Sequence, residues 1–137
     1  MILVTGASGS NGSELIKQLS ATGASVRAMV RKRRDLENGA LPGVEFVPAD
    51  FDDLAGVNRA LEGVQSAFLV TNSSERTETQ QLRFVEAARA GGLRHIVYLS
   101  QLRATKDSPL REIISRRFRS EIGSGLLNAI SQRKYAR

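Results

Sequence analysis

Met1-Ile2-Leu3-Val4-Thr5-Gly6-Ala7-Ser8-Gly9-Ser10-Asn11-Gly12 opens the chain and decides its fold. Met1–Thr5 is apolar and β-rich and runs straight into glycine, as a buried parallel strand does on leaving its sheet. Gly6, Gly9 and Gly12 then stand at G-x-x-G-x-x-G spacing. From about Asn11 the periodicity turns helical, with Leu15, Ile16 and Leu19 on one face and Gly23 as the stop. A strand, a glycine loop and a helix in that order make a tight turn. With no Cβ in the way, a phosphate can reach the backbone N–H groups at the helix start. Ser8, Ser10 and Asn11 can add hydrogen bonds to its oxygens. The same glycines would serve an ordinary turn, and the flanking strand and helix are what favour the phosphate.

Beyond this unit the pattern repeats. Ser25–Val30 reads as a second strand, followed by the basic run Arg31-Lys32-Arg33-Arg34 and a turn-rich stretch holding Asn38-Gly39 and Pro42-Gly43. Val44–Val47 is a third strand. Asp52 or Asp53 can cap the helix after it, whose Leu54, Val57 and Leu61 recur at helical spacing up to Gly63. Ala67–Val70 is a fourth strand, Thr77 to about Ala90 a helix with Leu82, Val85 and Ala88 inward, and His95–Leu99 a fifth strand. Short apolar strands alternating with helices predict an α/β fold, because parallel neighbours need crossover connections. The right-handed crossover rule leaves a doubly wound parallel sheet, Rossmann-like, of about five strands with helices on both faces.

Composition narrows the chemistry. The chain of 137 residues suits one domain with a sizeable core. It has no cysteine, which removes disulfides, thiolate metal sites and cysteine nucleophiles, and its one histidine, His95, opens a strand at the edge away from the glycine loop. No metal-ligand cluster is visible. The apolar start lacks a basic n-region, and no run approaches the roughly 20 apolar residues of a membrane span, so a cytoplasmic protein is expected. The net charge of +6 raises nucleic acid as a partner. However, Met1 to Leu110 holds thirteen Lys and Arg against twelve Asp and Glu, and Arg111 to Arg137 seven against two. The excess belongs to the last segment and not to the face of the domain.

Four further places bear on function. Arg31 follows the second strand, where an acidic residue would accept from a ribose 2′-hydroxyl and an arginine accommodates a 2′-phosphate. A guanidinium pairs bidentately with phosphate where a carboxylate would repel it. Lys32 and Arg34 are lesser candidates, and a solvated basic run is the other reading. Asp50 and Phe51 follow the third strand and could hold an adenine, by hydrogen bond and by contact, or could cap a helix and pack the core. Thr71-Asn72 and Ser100-Gln101 end the fourth and fifth strands, at the same edge as the glycine loop. They suit a place beside a nicotinamide and its ribose, or simply end strands.

Together, the opening stretch to Gly9, Ala28-Met29-Val30-Arg31, Pro48-Ala49-Asp50-Phe51-Asp52 and His95-Ile96-Val97-Tyr98-Leu99-Ser100 resemble the atypical short-chain dehydrogenases of the NmrA-like family, over about residues 1–109. The resemblance implies an NAD(P)-binding Rossmann fold. It puts Gly6, Ser8, Gly9, Ser10, Asn11 and Gly12 at the pyrophosphate, Arg31 at the 2′-phosphate of NADP, and Asp50 with Phe51 at the adenine. Thr71, Asn72 and Ser100 would lie toward the nicotinamide. The family includes NAD(P)H-dependent quinone and azo reductases as well as regulators that bind the cofactor without turnover. The Tyr-x-x-x-Lys pair of other short-chain dehydrogenases is not met, since Tyr98 lies within the fifth strand with Leu102 four residues on; no catalytic residue is assigned. Members of the family continue through further strands and a substrate-binding part, so the chain is expected to be truncated relative to them.

From Arg111 the text departs from the family helix expected there. The expected organisation is a cofactor domain over 1–110 and a basic tail over 111–137. The tail arises from a shifted reading frame or shortened gene, or is a divergent helix with Ile113, Ile114, Phe118 and Ile122 on one face. The favoured function is an NADP(H)-binding oxidoreductase-like module with a small quinone-like substrate. A non-catalytic NAD(P)-sensing regulator with a protein partner stands second, and a basic-tailed nucleic-acid binder third. The missing wall of the crevice and an open sheet edge predict either a homo-oligomer or protein partner, or low activity of the shortened chain.

Overall fold

The computed structural model describes residues 1–31, 41–72 and 74–99. They form β1 (Ile2–Val4), α1 (Ser10–Ala21), β2 (Val26–Val30), β3 (Val44–Pro48), α2 (Leu54–Leu61), β4 (Ser66–Leu69), α3 (Thr77–Ala90) and β5 (His95–Tyr98). The strands make one sheet in the order β3-β2-β1-β4-β5, and every neighbouring pair is parallel. The chain builds outward from β1 to β3, then crosses back and continues through β4 and β5. The reversal falls between β1 and β4, and in such sheets the crevice for ligands opens there, at the carboxyl ends of the strands.

Alternation along the strands divides the core in two. Leu3, Met29, Ala67, Leu69 and Ile96 face α2 and α3, where they meet Val57, Ala60, Leu61, Phe84, Val85 and Ala88. Val4, Val26, Ala28, Val30 and Phe68 face the other way, toward Ile16 of α1. Phe84 is 1 % exposed, and burying a ring of that size stabilises the fold by about 1.5–3 kcal/mol.

Two expectations about the helices need correction. Leu54 does not point inward: it is 54 % exposed, and α2 buries Gly56, Val57, Ala60 and Leu61 instead. Leu54 is the first residue of the helix and lines an open surface groove with Asn58 and with Arg83, Glu86 and Ala87 of α3. Asp53 occupies the N-cap position of α2 without a capping hydrogen bond, and its carboxylate lies 3.8 Å from Arg59. On α3, Leu82 packs against the core from a partly buried position, as expected, and the fully buried stripe also includes Gln80, Gln81 and Phe84 beside Val85 and Ala88. Lys32, Arg34, Ser100, Gln101, the boundary expected near 110 and the segment 111–137 lie outside the described residues.

Candidate functional site

The site begins with a side chain that the sequence did not single out. Thr5 is fully buried at the end of β1, its hydroxyl 2.9 Å from Val70 O, to which it donates, while Val70 N donates back to Oγ1 at 2.8 Å. That hydroxyl ties the carboxyl ends of β1 and β4 together where the chain leaves the sheet. Gly6 then takes φ +60°, and Gly9 N–H closes the turn onto Gly6 O at 3.0 Å. A Cβ built on Gly12 would stand 2.2 Å from Gly6 O, so the first turn of α1 lies directly against the loop.

The start of α1 is therefore bare backbone. No side chain caps it, and no acidic residue stands in its first turn. The N–H groups of Ser10, Asn11 and Gly12 have no acceptor within the helix by geometry, and the helix dipole adds positive potential at the same point. Such an arrangement binds anionic oxygen.

These groups face a cavity of about 260 Å³ at the carboxyl edge of the sheet. Gly6, Ser8, Gly9, Ser10, Asn11, Gly12, Arg31, Phe51, Thr71 and Asn72 all line it, so ten of the residues singled out by sequence are brought together. Arg31 directly follows β2 and is exposed. Among the described residues the ion pairs are Arg27–Glu45, Arg59–Asp53 and Arg76–Asp52, none of which uses Arg31. Phe51 contributes to the cavity and the core alike, its ring set edge-on to Phe84 at 5.8 Å and 72°. Thr71 Oγ1 accepts from Gln81 Nε2 at 2.5 Å.

Two candidates are not brought in. Asp50 does not line the cavity, because its Oδ1 accepts from Asp52 N at 2.9 Å and folds the carboxylate into its own loop. Ser100 lies outside the described residues. Sequence reasoning passed over the apolar lining of Met29, Val30, Ala49 and Val70, whose only signal is position at or just past a strand's end. Thr5 and Gln81 did leave a trace, as polar residues placed within an apolar strand and an inward helical stripe. Arg31 is the one ionisable side chain among the described residues lining the cavity. No group of three or more His, Cys, Asp or Glu among the described residues could hold a metal ion, and no described helix is long and apolar enough to cross a membrane.

The comparisons with known proteins agree with this geometry. The model of the NmrA-like family matches residues 1–120, which carries the likeness beyond residue 110. A (4-alkanoyl-5-oxo-2,5-dihydrofuran-3-yl)methyl phosphate reductase of Streptomyces griseus is 41% identical over 119 residues, covering 87% of this chain and 40% of that protein. An NADPH-dependent quinone oxidoreductase from Escherichia coli, complexed with NADPH, superposes with a TM-score of 0.68 and 32% identity, over 74% of this chain and 37% of that one. NmrA, a negative transcriptional regulator, in complex with NADP, gives a TM-score of 0.64 at 26% identity, over 71% of this chain and 32% of that one. The chain spans about two fifths of the length of the curated relatives it matches.

Proposed function

This chain belongs to the NmrA-like family, and from that premise we propose that it is the NADP(H)-binding part of an oxidoreductase acting on a small quinone-like acceptor. One observation carries the proposal: the uncapped start of α1 and the guanidinium of Arg31, which no ion pair among the described residues uses, face one cavity, so that two anionic groups of a single ligand find partners at once. NADP offers that pair, in its pyrophosphate and its 2′-phosphate. The first-turn N–H groups with Ser8, Ser10 and Asn11 take the pyrophosphate, and Arg31 takes the 2′-phosphate. Phe51 offers a flat apolar surface to the adenine. Thr71 and Asn72 stand toward the nicotinamide, and the apolar lining from β2, β3 and β4 keeps water from the bound molecule. The cofactor, when bound, supplies the hydride, and the protein's part is orientation and electrostatics.

Residues 1–110 form the cofactor unit on this reading, and the substrate wall comes from further chain or a partner subunit, in the cytoplasm. A regulator that senses NADP without turnover is the second reading. The likeness to NmrA, a negative transcriptional regulator crystallised with NADP, supports it. Consumption of NADPH in the presence of a quinone separates the two.

The test of the cofactor site is a calorimetric titration with NADPH and NADH on the wild-type chain and on Arg31→Ala. NADPH is expected to bind more tightly, and the variant to lose about tenfold to a hundredfold for NADPH alone, the magnitude of a charge-assisted contact. Equal affinities for the two nucleotides, or a variant that loses both alike, would remove Arg31 from the role.

A further inference from the structure

The stripe that α3 buries against the sheet includes two glutamines, and Gln81 is 5 % exposed among Phe84, Val85 and Ala88. A buried amide costs free energy unless it is paired. Gln81 is paired on both sides. Its Oε1 accepts from the Tyr98 hydroxyl at 3.3 Å, and its Nε2 donates to Thr71 Oγ1 at 2.5 Å. In this orientation the amide presents its oxygen to the phenol and its nitrogen to Thr71.

This fixes what Thr71 can offer. One lone pair of Oγ1 is occupied by Gln81, and among the described residues the Thr71 hydroxyl donates to no acceptor. Thr71 also lines the cavity. We propose that Gln81 is a positioning residue that holds the Thr71 hydroxyl as a donor aimed into the cavity, so that this end of the site selects an acceptor oxygen on the ligand. The inference rests on the dinucleotide reading, in which the acceptor is a ribose or carboxamide oxygen of the nicotinamide riboside half. Tyr98, Gln81, Thr71 and the ligand then form a chain in which every bond runs the same way, and such bonds strengthen one another. Gln80, the neighbouring buried glutamine, donates to Asp52 Oδ1 at 3.2 Å and does not line the cavity, which makes it an internal control.

The experiment is a pair of calorimetric titrations on the 137-residue chain, one with NADPH and one with adenosine 2′,5′-bisphosphate, which carries the 2′-phosphate but no nicotinamide riboside. Gln81→Leu and Thr71→Val are each expected to weaken NADPH about tenfold, the size of one net hydrogen bond, and to leave the bisphosphate unchanged. The double variant loses no more than Thr71→Val alone, because the two residues act through one contact. Thr71→Ser and Gln80→Leu keep wild-type affinity for both ligands. If Gln81→Leu does not fold, the Thr71→Val and Thr71→Ser pair still carries the test. A loss shared equally by both ligands, or NADPH affinity unchanged in Thr71→Val, overturns the proposal while leaving the cofactor reading intact. A wild-type chain that binds neither nucleotide overturns the cofactor reading and this inference with it.

Discussion

Between β1 and α1 the cavity wall rests on backbone packed so closely at Gly12 that no side chain fits there, whereas just past β4 it is made of side chains held in place by others from α3 and β5. Gly12 marks the first side: a Cβ there would meet Gly6 O at 2.2 Å and Gly6 C at 2.8 Å. Thr71, Gln81 and Tyr98 mark the second, where hydrogen bonds of 2.5 and 3.3 Å set the geometry. A wall defined by what must be absent has no gentle substitution, since any added atom displaces the main chain. A wall of side chains responds by degrees, one bond at a time. Both serve one ligand: a pyrophosphate needs backbone donors at fixed positions, and selecting among smaller groups needs adjustable ones.

Gly12→Ala should break the first wall. The methyl cannot be absorbed by a flexible neighbour, since the nearest atoms are main chain. The start of α1 must move away from the loop, at a cost of about 1–3 kcal/mol for an overpacked contact. Thermal unfolding should show that loss, and NADPH binding should vanish, because the first-turn N–H groups move with the helix. An alanine variant that binds NADPH like the wild type would show that the wall yields, and the contrast between the two sides would fail.

Thr5→Val sits between the extremes. Valine nearly preserves the shape at the fully buried Thr5, yet it leaves the half-buried Val70 N–H without the acceptor now at 2.8 Å. An unsatisfied buried donor costs about 1–3 kcal/mol, readable by chemical denaturation. Thr5→Ser keeps the hydroxyl and should recover most of that. If serine and valine destabilise alike, packing rather than the hydroxyl joins β1 to β4, and the backbone wall has no side-chain anchor.

The same contrast explains what could be read in advance. Strands, helices and the glycine loop follow from periodicity and from residues that lack a Cβ, so the β1–α1 turn and a doubly wound parallel sheet of five strands were legible. The clustering of Arg31, Phe51, Thr71 and Asn72 was legible too, because a parallel sheet brings every strand's carboxyl end to one edge. The stripe of α3 was not, since Gln80 and Gln81 read as surface until their partners are known. Those partners, Asp52, Thr71 and Tyr98, come from other elements and share no local spacing with them. Leu54 failed for the opposite reason: its spacing is helical, but it stands in an open groove between α2 and α3 and stays exposed. Asp50 had two readings at equal standing, and its bond to Asp52 N draws it into the loop.

The smallest effect tests how far the side-chain wall extends. Arg76 Nη1 lies 2.9 Å from Asp52 Oδ2, joining the start of α3 to the loop that carries Phe51, and Gln80 holds the other oxygen of the same carboxylate. The arrangement looks like a brace, but the Arg76 side chain is 73% exposed and that of Asp52 37%. Water at both partners screens the attraction, and ordering a long side chain offsets much of what remains. Arg76→Ala should therefore cost no more than about 0.5 kcal/mol by denaturation and leave NADPH affinity unchanged. Raising the salt should not widen the gap between variant and wild type. A loss above about 1.5 kcal/mol would exceed what an exposed pair supplies. The pair would then act jointly with Gln80, and the side-chain wall would reach from Tyr98 to the loop before α2 as one connected network.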